Sequence, residues 1–190
     1  YYRKWFGKLA ISPLIDEYGY NLDFLEIFVK PVLTIPRHQD HEGKSQSIPV
    51  KSCHDIFVKD SKPCQSIYIS SRAGCGKTSL AKWLALTWCQ AHQPVVLDNK
   101  WFIAKDVDEM RTFMFLFIVF LRDEDEQECD VDIMIQNQLL PSLANWVTYR
   151  KLGQKYFQDI FNSVKCIIIL DGLDEWSHSS GNKCTFKNKH

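Results

Sequence analysis

The sequence has no long hydrophobic run, no excess of either charge and no regular cysteine spacing, and each lack removes a class of function. Its longest apolar stretch, 113–121, is about half of the ~20 residues that a helix needs to cross a bilayer. The first residues carry no secretory pattern, and a membrane partner is not expected. Lysine plus arginine equals aspartate plus glutamate, 23 against 23. With no net charge there is no global electrostatic reason to expect nucleic acid or an acidic lipid surface as the main partner. The seven cysteines are odd in number and irregular in spacing. They read as reduced thiols of a cytoplasmic protein rather than as a disulfide framework. His38, His41, Cys53, His54 and Cys64 are metal-type side chains on a loop, but their spacing fits no standard zinc pattern, and a solvated loop with packed thiols is the expectation.

What is present is enough apolar material for one domain, 45% of 190 residues,. Residues 1–52 read as a lead-in segment and linker, and 53–190 as the body of the domain. Within the lead-in, 21–30 is either a short helix or a strand, because periodicity does not decide. Residues 37–52 are polar and loop-like. Segment 66–70 (Ser-Ile-Tyr-Ile-Ser) alternates as a short strand does. A helix is expected from about Lys77 to Ala91, with Leu80, Trp83, Leu84, Thr87, Trp88 and Ala91 on one face and Pro94 after its end,. Segments 114–121 and 166–170 are apolar at every position, which suits strands covered on both faces. The acidic run 123–128 reads as a solvated turn, and 131–140 and 149–164 as helices. Strands alternating with helices imply an α/β fold with a mainly parallel sheet.

Between the first strand and the first long helix lies Ser71-Arg72-Ala73-Gly74-Cys75-Gly76-Lys77-Thr78, with Ser79 next. Seven of these eight positions suit the phosphate-loop pattern G-x-x-x-x-G-K-[ST]; Ser71 stands where the first glycine belongs,. The chemistry explains the residue types. Polyphosphate oxygens need many donors at short range. Gly74 and Gly76 let the backbone curl into an anion nest, and the helix that follows offers its positive end. Lys77 is expected to reach the β- and γ-phosphates, and the Thr78 hydroxyl to ligate magnesium. If position 71 needs a positive φ, serine there is strained. Cys75 is a loop residue first and a redox handle second.

Further along, 167–170 delivers Asp171 to a strand's C-terminal edge, where ligands of open α/β sheets collect. A carboxylate there suits the magnesium that Thr78 also sees. Asp174 and Glu175 follow within one turn. One of them, Glu175 by preference, suits the general base that polarises an attacking water.

Together these residues resemble the NACHT family of signalling ATPases, within the STAND class of P-loop NTPases. Ser71 to Thr78 looks like that family's Walker A, and Ile-Leu-Asp-Gly-Leu-Asp-Glu (169–175) like its extended Walker B. Segment 114–123 is similar to its buried strand ending in Leu-Arg. The resemblance covers about 53–177. It implies a three-layer P-loop NTPase, incomplete at its C-terminal end, that binds ATP or ADP with magnesium. It also implies nucleotide-dependent self-association, slow hydrolysis, contact with other signalling proteins and a cytoplasmic role in innate immune or stress signalling. In such domains the lead-in, here 28–35, supplies backbone contacts to adenine.

The departures carry expectations too. The family continues after Walker B with a sensor strand that lies between the Walker A and Walker B strands, and none follows Trp176. The first residue is Tyr1 and the last residues are a polar tail, so the chain reads as a fragment. Strands with open edges, poor stability in isolation and weak or absent hydrolysis are expected. Two rivals stand beside the switch: a degenerate fragment that acts by protein contact alone, and a P-loop kinase. A kinase needs an arginine-bearing lid, and no such basic lid is present.

Overall fold

The apolar segments read as doubly covered strands are strands, and they lie side by side. In the computed structural model, which describes residues 1–10, 21–36, 47–124, 130–139 and 159–176, the fold is mixed α/β with short sheets. Its helices are α1 (Tyr2–Phe6), α2 (Phe24–Ile27), α3 (Cys53–Phe57), α4 (Lys77–His92), α5 (Ala104–Arg111) and α6 (Val131–Leu139). Its strands are β1 (Lys8–Ala10), β2 (Asn21–Asp23), β3 (Thr34–Pro36), β4 (Ser47–Pro49), β5 (Val58–Lys59), β6 (Lys62–Pro63), β7 (Phe115–Phe120) and β8 (Cys166–Asp171). The chain divides into two compact units, Tyr2–Arg111 and Thr112–His190.

In the second unit β7 and β8 run parallel, Phe115 opposite Cys166 and Phe120 opposite Asp171. Successive residues of β7 point to opposite faces, yet Leu116, Phe117, Ile118 and Val119 are all buried, so the strand is covered on both sides. One face meets α6: Phe117, Val119 and Leu121 form a core with Met134 and Ile135, and Phe161 and Trp176 pack around it. The Gln138 side chain braces the end of β7. Its amide nitrogen donates to the Phe120 carbonyl at 2.8 Å, and its carbonyl oxygen accepts from the Phe120 N–H at 2.9 Å. The strand residue opposite Asp171 is thereby held by a side chain as well as by the sheet.

The first unit is built around α4. Leu80, Trp83, Leu84, Thr87 and Ala91 are buried as the helical spacing predicts. Ala81, Ala85, Leu86 and Gln90 are buried as well, so the covered arc is wider than one stripe, whereas Trp88 is only half-buried. Segment 21–30 is both of its alternatives in succession, strand β2 and then helix α2. Asp23 ends the strand and caps the helix, accepting from the Leu25 N–H at 2.9 Å. The three other sheets are antiparallel pairs, β1–β2, β3–β4 and β5–β6. Among the described residues, then, the expected mainly parallel sheet narrows to the β7–β8 pair.

One sequence expectation is corrected, and one helix was not anticipated. Segment 66–70 belongs to no sheet among the described residues, and all five of its residues are exposed. Its alternation suits a strand, but a strand exists only with a ladder partner, and none of the described strands pairs with it. The helix not anticipated is α5, over the polar stretch 104–111. It forms because Asp106 is drawn inside. Fully buried, its carboxylate accepts from the Lys30 ammonium at 2.9 Å and from the Cys53 N–H at 2.6 Å. Residues 149–158 of the expected helix 149–164 lie outside the described residues, and 159–163 is helical. Loop residues 37–46, which include His38 and His41, and 125–128 of the acidic run also lie outside them.

Asp55 stabilises the start of α3. Its carboxylate accepts from the backbone N–H groups of Lys51 at 2.9 Å and Ser52 at 3.0 Å, and from the Ser52 hydroxyl at 3.2 Å. These bonds, the Lys51 amide foremost, hold its pKa below the usual carboxylate value,. A folded-state pKa below the unfolded one stabilises above the unfolded value and is lost as pH falls through the folded one. The thermal midpoint should therefore drop below about pH 4. An Asp55→Asn chain should show a smaller drop from the same cause, measurable by circular dichroism melts between pH 7 and pH 3.

Candidate functional site

The loop 71–76 gets its shape from two glycines. Gly74 has φ +75° and Gly76 φ +85°, both in the left-handed region. A Cβ at either would meet nothing within 4 Å, so glycine is required there by backbone conformation and not by crowding,. Ser71 is not among the residues with positive φ, and the strain weighed for it does not arise. A turn closes with the Cys75 N–H donating to the Arg72 carbonyl at 3.3 Å, and α4 opens with the Leu80 N–H donating to Gly76 at 2.8 Å. Lys77 folds back over this loop: its ammonium donates to the Ser71 carbonyl at 3.3 Å. Ser71, Arg72, Ala73, Gly74 and Cys75 are exposed, and Lys77, Thr78 and Ser79 are half-buried on the first turn of a 16-residue helix. An exposed loop with two left-handed glycines, the first turn of a long helix and a primary ammonium thus lie together in sequence and space, and a helix start of this kind suits an anion.

The acidic strand end lies in the other compact unit, and each half of the candidate site stands here by itself. Asp171 is the last residue of β8 and is buried. Gly172, at φ +88°, turns the chain sharply. The N–H groups of Glu175 and Trp176 both donate to the Gly172 carbonyl at 3.0 Å. The turn presents Asp174 and Glu175 to solvent. Sequence reasoning missed one neighbour, Arg122, whose Nη2 is 3.9 Å from Asp171 Oδ2. The signal was present, because Arg122 closes the Leu-Arg end of the strand, but only the register of β7 on β8 brings it to the aspartate.

The donor chemistry fits magnesium better than a soft metal. Magnesium takes one or two carboxylates with phosphate oxygens and water; taken each by itself, Asp171 is a buried carboxylate in one unit and Thr78 a half-buried hydroxyl in the other. The described residues contain no group of three or more His, Cys, Asp and Glu placed to hold a metal ion. Of the metal-type side chains expected on an early loop, Cys53 and His54 lie instead in α3, where His54 pairs with Glu109 at 2.8 Å and Cys53 is buried beside Asp106. No described helix is long and apolar enough to cross a membrane.

The thiols sort by environment. Burial, reinforced by the Asp106 charge, pushes the Cys53 thiol well above its ordinary pKa, and burial raises Cys89 and Cys166 in the same direction. Cys75 is exposed within the loop. Maleimide at neutral pH should label Cys75 ahead of those three, and saturating magnesium-ATP should slow that one reaction by about tenfold or more if phosphates cover the loop. Peptide mass spectrometry reads both rates, and an unprotected Cys75 would count against phosphate binding there.

Comparison with protein-family models, with curated proteins and with solved structures returned no match to this chain.

Proposed function

We propose that this chain is the nucleotide-binding part of a NACHT-type P-loop signalling ATPase, a three-layer domain that binds ATP with magnesium as a switch. The observation that carries the reading is the loop itself. Two left-handed glycines lead into a long helix, with Lys77 lying across the loop. In this reading Ser71 to Ser79 line the phosphates, with backbone N–H groups of the loop turning to them, that of Cys75 leaving its 3.3 Å bond to the Arg72 carbonyl, and with the Lys77 ammonium. Thr78 and Asp171 would hold magnesium, and Glu175, with Asp174 beside it, would orient and deprotonate a water. Magnesium bound there supplies charge neutralisation at the terminal phosphate.

The lead-in supports the same reading. Phe28 stacks on Trp83 at 6.1 Å, and the Lys30 ammonium lies 4.2 Å from the centre of the same ring. Both contacts fasten segment 28–33 along α4 and leave Val29 and Val32 exposed. Exposed apolar residues beside a phosphate-loop helix suit a purine face. ATP-dependent self-association, slow hydrolysis, contact with other signalling proteins and a cytoplasmic role in innate immune or stress signalling belong to this proposal through the resemblance.

A second reading is a chain that binds no nucleotide and acts by protein contact. The exposed segment 66–70, outside any described sheet, favours it. Calorimetric titration of magnesium-ATP, with GTP as competitor, separates the two. Micromolar binding that Lys77→Ala removes supports the switch. A folded chain that binds nothing supports the contact-only fragment.

A further inference from the structure

The end of β7 holds a charged group whose neighbour is the site's aspartate. Phe120 lies opposite Asp171 in the parallel register. The 3-10 turn Leu121–Asp123 follows at once and brings Arg122 toward β8. A Cβ on Gly172 would sit 3.8 Å from the Arg122 backbone nitrogen, so the two turns touch at main-chain level. The side chains are unlike in exposure, 7% for Asp171 and 51% for Arg122, with 3.9 Å between Nη2 and Oδ2. A charge-assisted hydrogen bond spans about 2.7–2.9 Å. The attraction here acts through space and leaves the guanidinium able to swing into water.

We propose that Arg122 is a positioning residue for the metal: its guanidinium balances the Asp171 carboxylate until a divalent cation takes that carboxylate, and so sets the affinity of the strand end for magnesium. The inference rests on the reading of Asp171 as a magnesium ligand. The physics is direct. A dication approaching Asp171 meets a like charge at short range, where screening by water and salt is incomplete. The site then holds the metal weakly until phosphate oxygens add their charge. Removing the guanidinium lifts that repulsion, and replacing it with another cation does not.

Manganese is the probe, its free form counted by electron paramagnetic resonance, on the full 190-residue chain without nucleotide. Arg122→Gln should bind manganese about five- to tenfold more tightly than the unaltered chain, Arg122→Lys within about twofold of it, and Asp171→Asn only weakly. Unchanged or weaker binding by Arg122→Gln, with Asp171→Asn still defective, overturns the role of Arg122 and leaves the magnesium reading of Asp171 standing. Binding indifferent to Asp171→Asn, or no binding by the unaltered chain, overturns both. A second measurement needs no variant. Phenylglyoxal should modify Arg122 of the unaltered chain several-fold faster at saturating magnesium than without it, as read by peptide mass spectrometry. An unchanged rate overturns the proposal even if Arg122→Gln fails to fold.

Discussion

Replacing Lys30 with methionine is expected to remove about 3–5 kcal/mol from the stability of the unit that holds loop 71–76. The Asp106 carboxylate is fully buried, and the Lys30 ammonium lies 2.9 Å from it with the Trp83 ring on its other side. Methionine keeps most of the length of the side chain but leaves a carboxylate inside the protein without that partner, and uncompensated buried charge is among the costliest defects a fold can carry. The reciprocal change should cost less. Asp106→Asn keeps a carbonyl oxygen for the Cys53 N–H, and Lys30, 29% exposed, is close enough to the surface to turn outward. Urea unfolding followed by tryptophan fluorescence should therefore order the proteins as unaltered, Asp106→Asn, Lys30→Met. A Lys30→Met chain within about 1 kcal/mol of the unaltered one would mean that the buried pair contributes little.

The second large effect concerns binding. Lys77→Ala should weaken magnesium-ATP binding by roughly 100-fold, the scale of a lost hydrogen bond to a charged group, while the melting temperature barely moves. The Lys77 ammonium's contact with the Ser71 carbonyl is long, 3.3 Å, and lies at the protein surface, so its loss costs the fold little. Gly76→Val should lose binding to a similar degree by a different route. A β-branched residue at φ +85° is strained whatever the space around it, by about 1–2 kcal/mol, and the loop relaxes into a shape whose N–H groups no longer converge. Calorimetry with thermal melts tells the two apart: Lys77→Ala changes affinity alone, and Gly76→Val changes affinity and stability. If Gly76→Val bound ATP normally, the nest geometry would not be what holds phosphate.

The parts that could be read from the sequence are those whose cause is local. Gly74 and Gly76 announce the loop because a left-handed turn into a helix favours glycine,, and Lys77 because the phosphate-loop pattern calls for a lysine next. Strands β7 and β8 are legible because an unbroken run of branched and aromatic apolar residues suits a strand; β7 is covered on both faces as expected, whereas Ile168, Ile169 and Leu170 of β8 are only half-buried. What could not be read depends on residues far apart in the chain. Helix α5 is polar along most of its length, and its place follows from Asp106 meeting Lys30 and Cys53. Segment 66–70 has the pattern of a strand, but pattern does not create the neighbour that a strand requires. The contact of Arg122 with Asp171 exists only once the register of two strands is known. Segment 21–30 was ambiguous for an opposite reason: it is short enough to hold two elements, and a single aspartate marks the change.

The exposed segment 66–70 also bears on how any assembly of this chain is to be interpreted. Five uncharged residues, with Ile67, Tyr68 and Ile69 open to solvent, form the kind of short sticky stretch that seeds intermolecular β-structure. Association from that source grows with protein concentration and heat and is deaf to nucleotide, whereas a switch assembles with ATP and comes apart with ADP. Light scattering that rises on warming but ignores the nucleotide reports misassembly. A particle that forms and dissolves as the nucleotide is exchanged, at constant temperature and concentration, reports signalling.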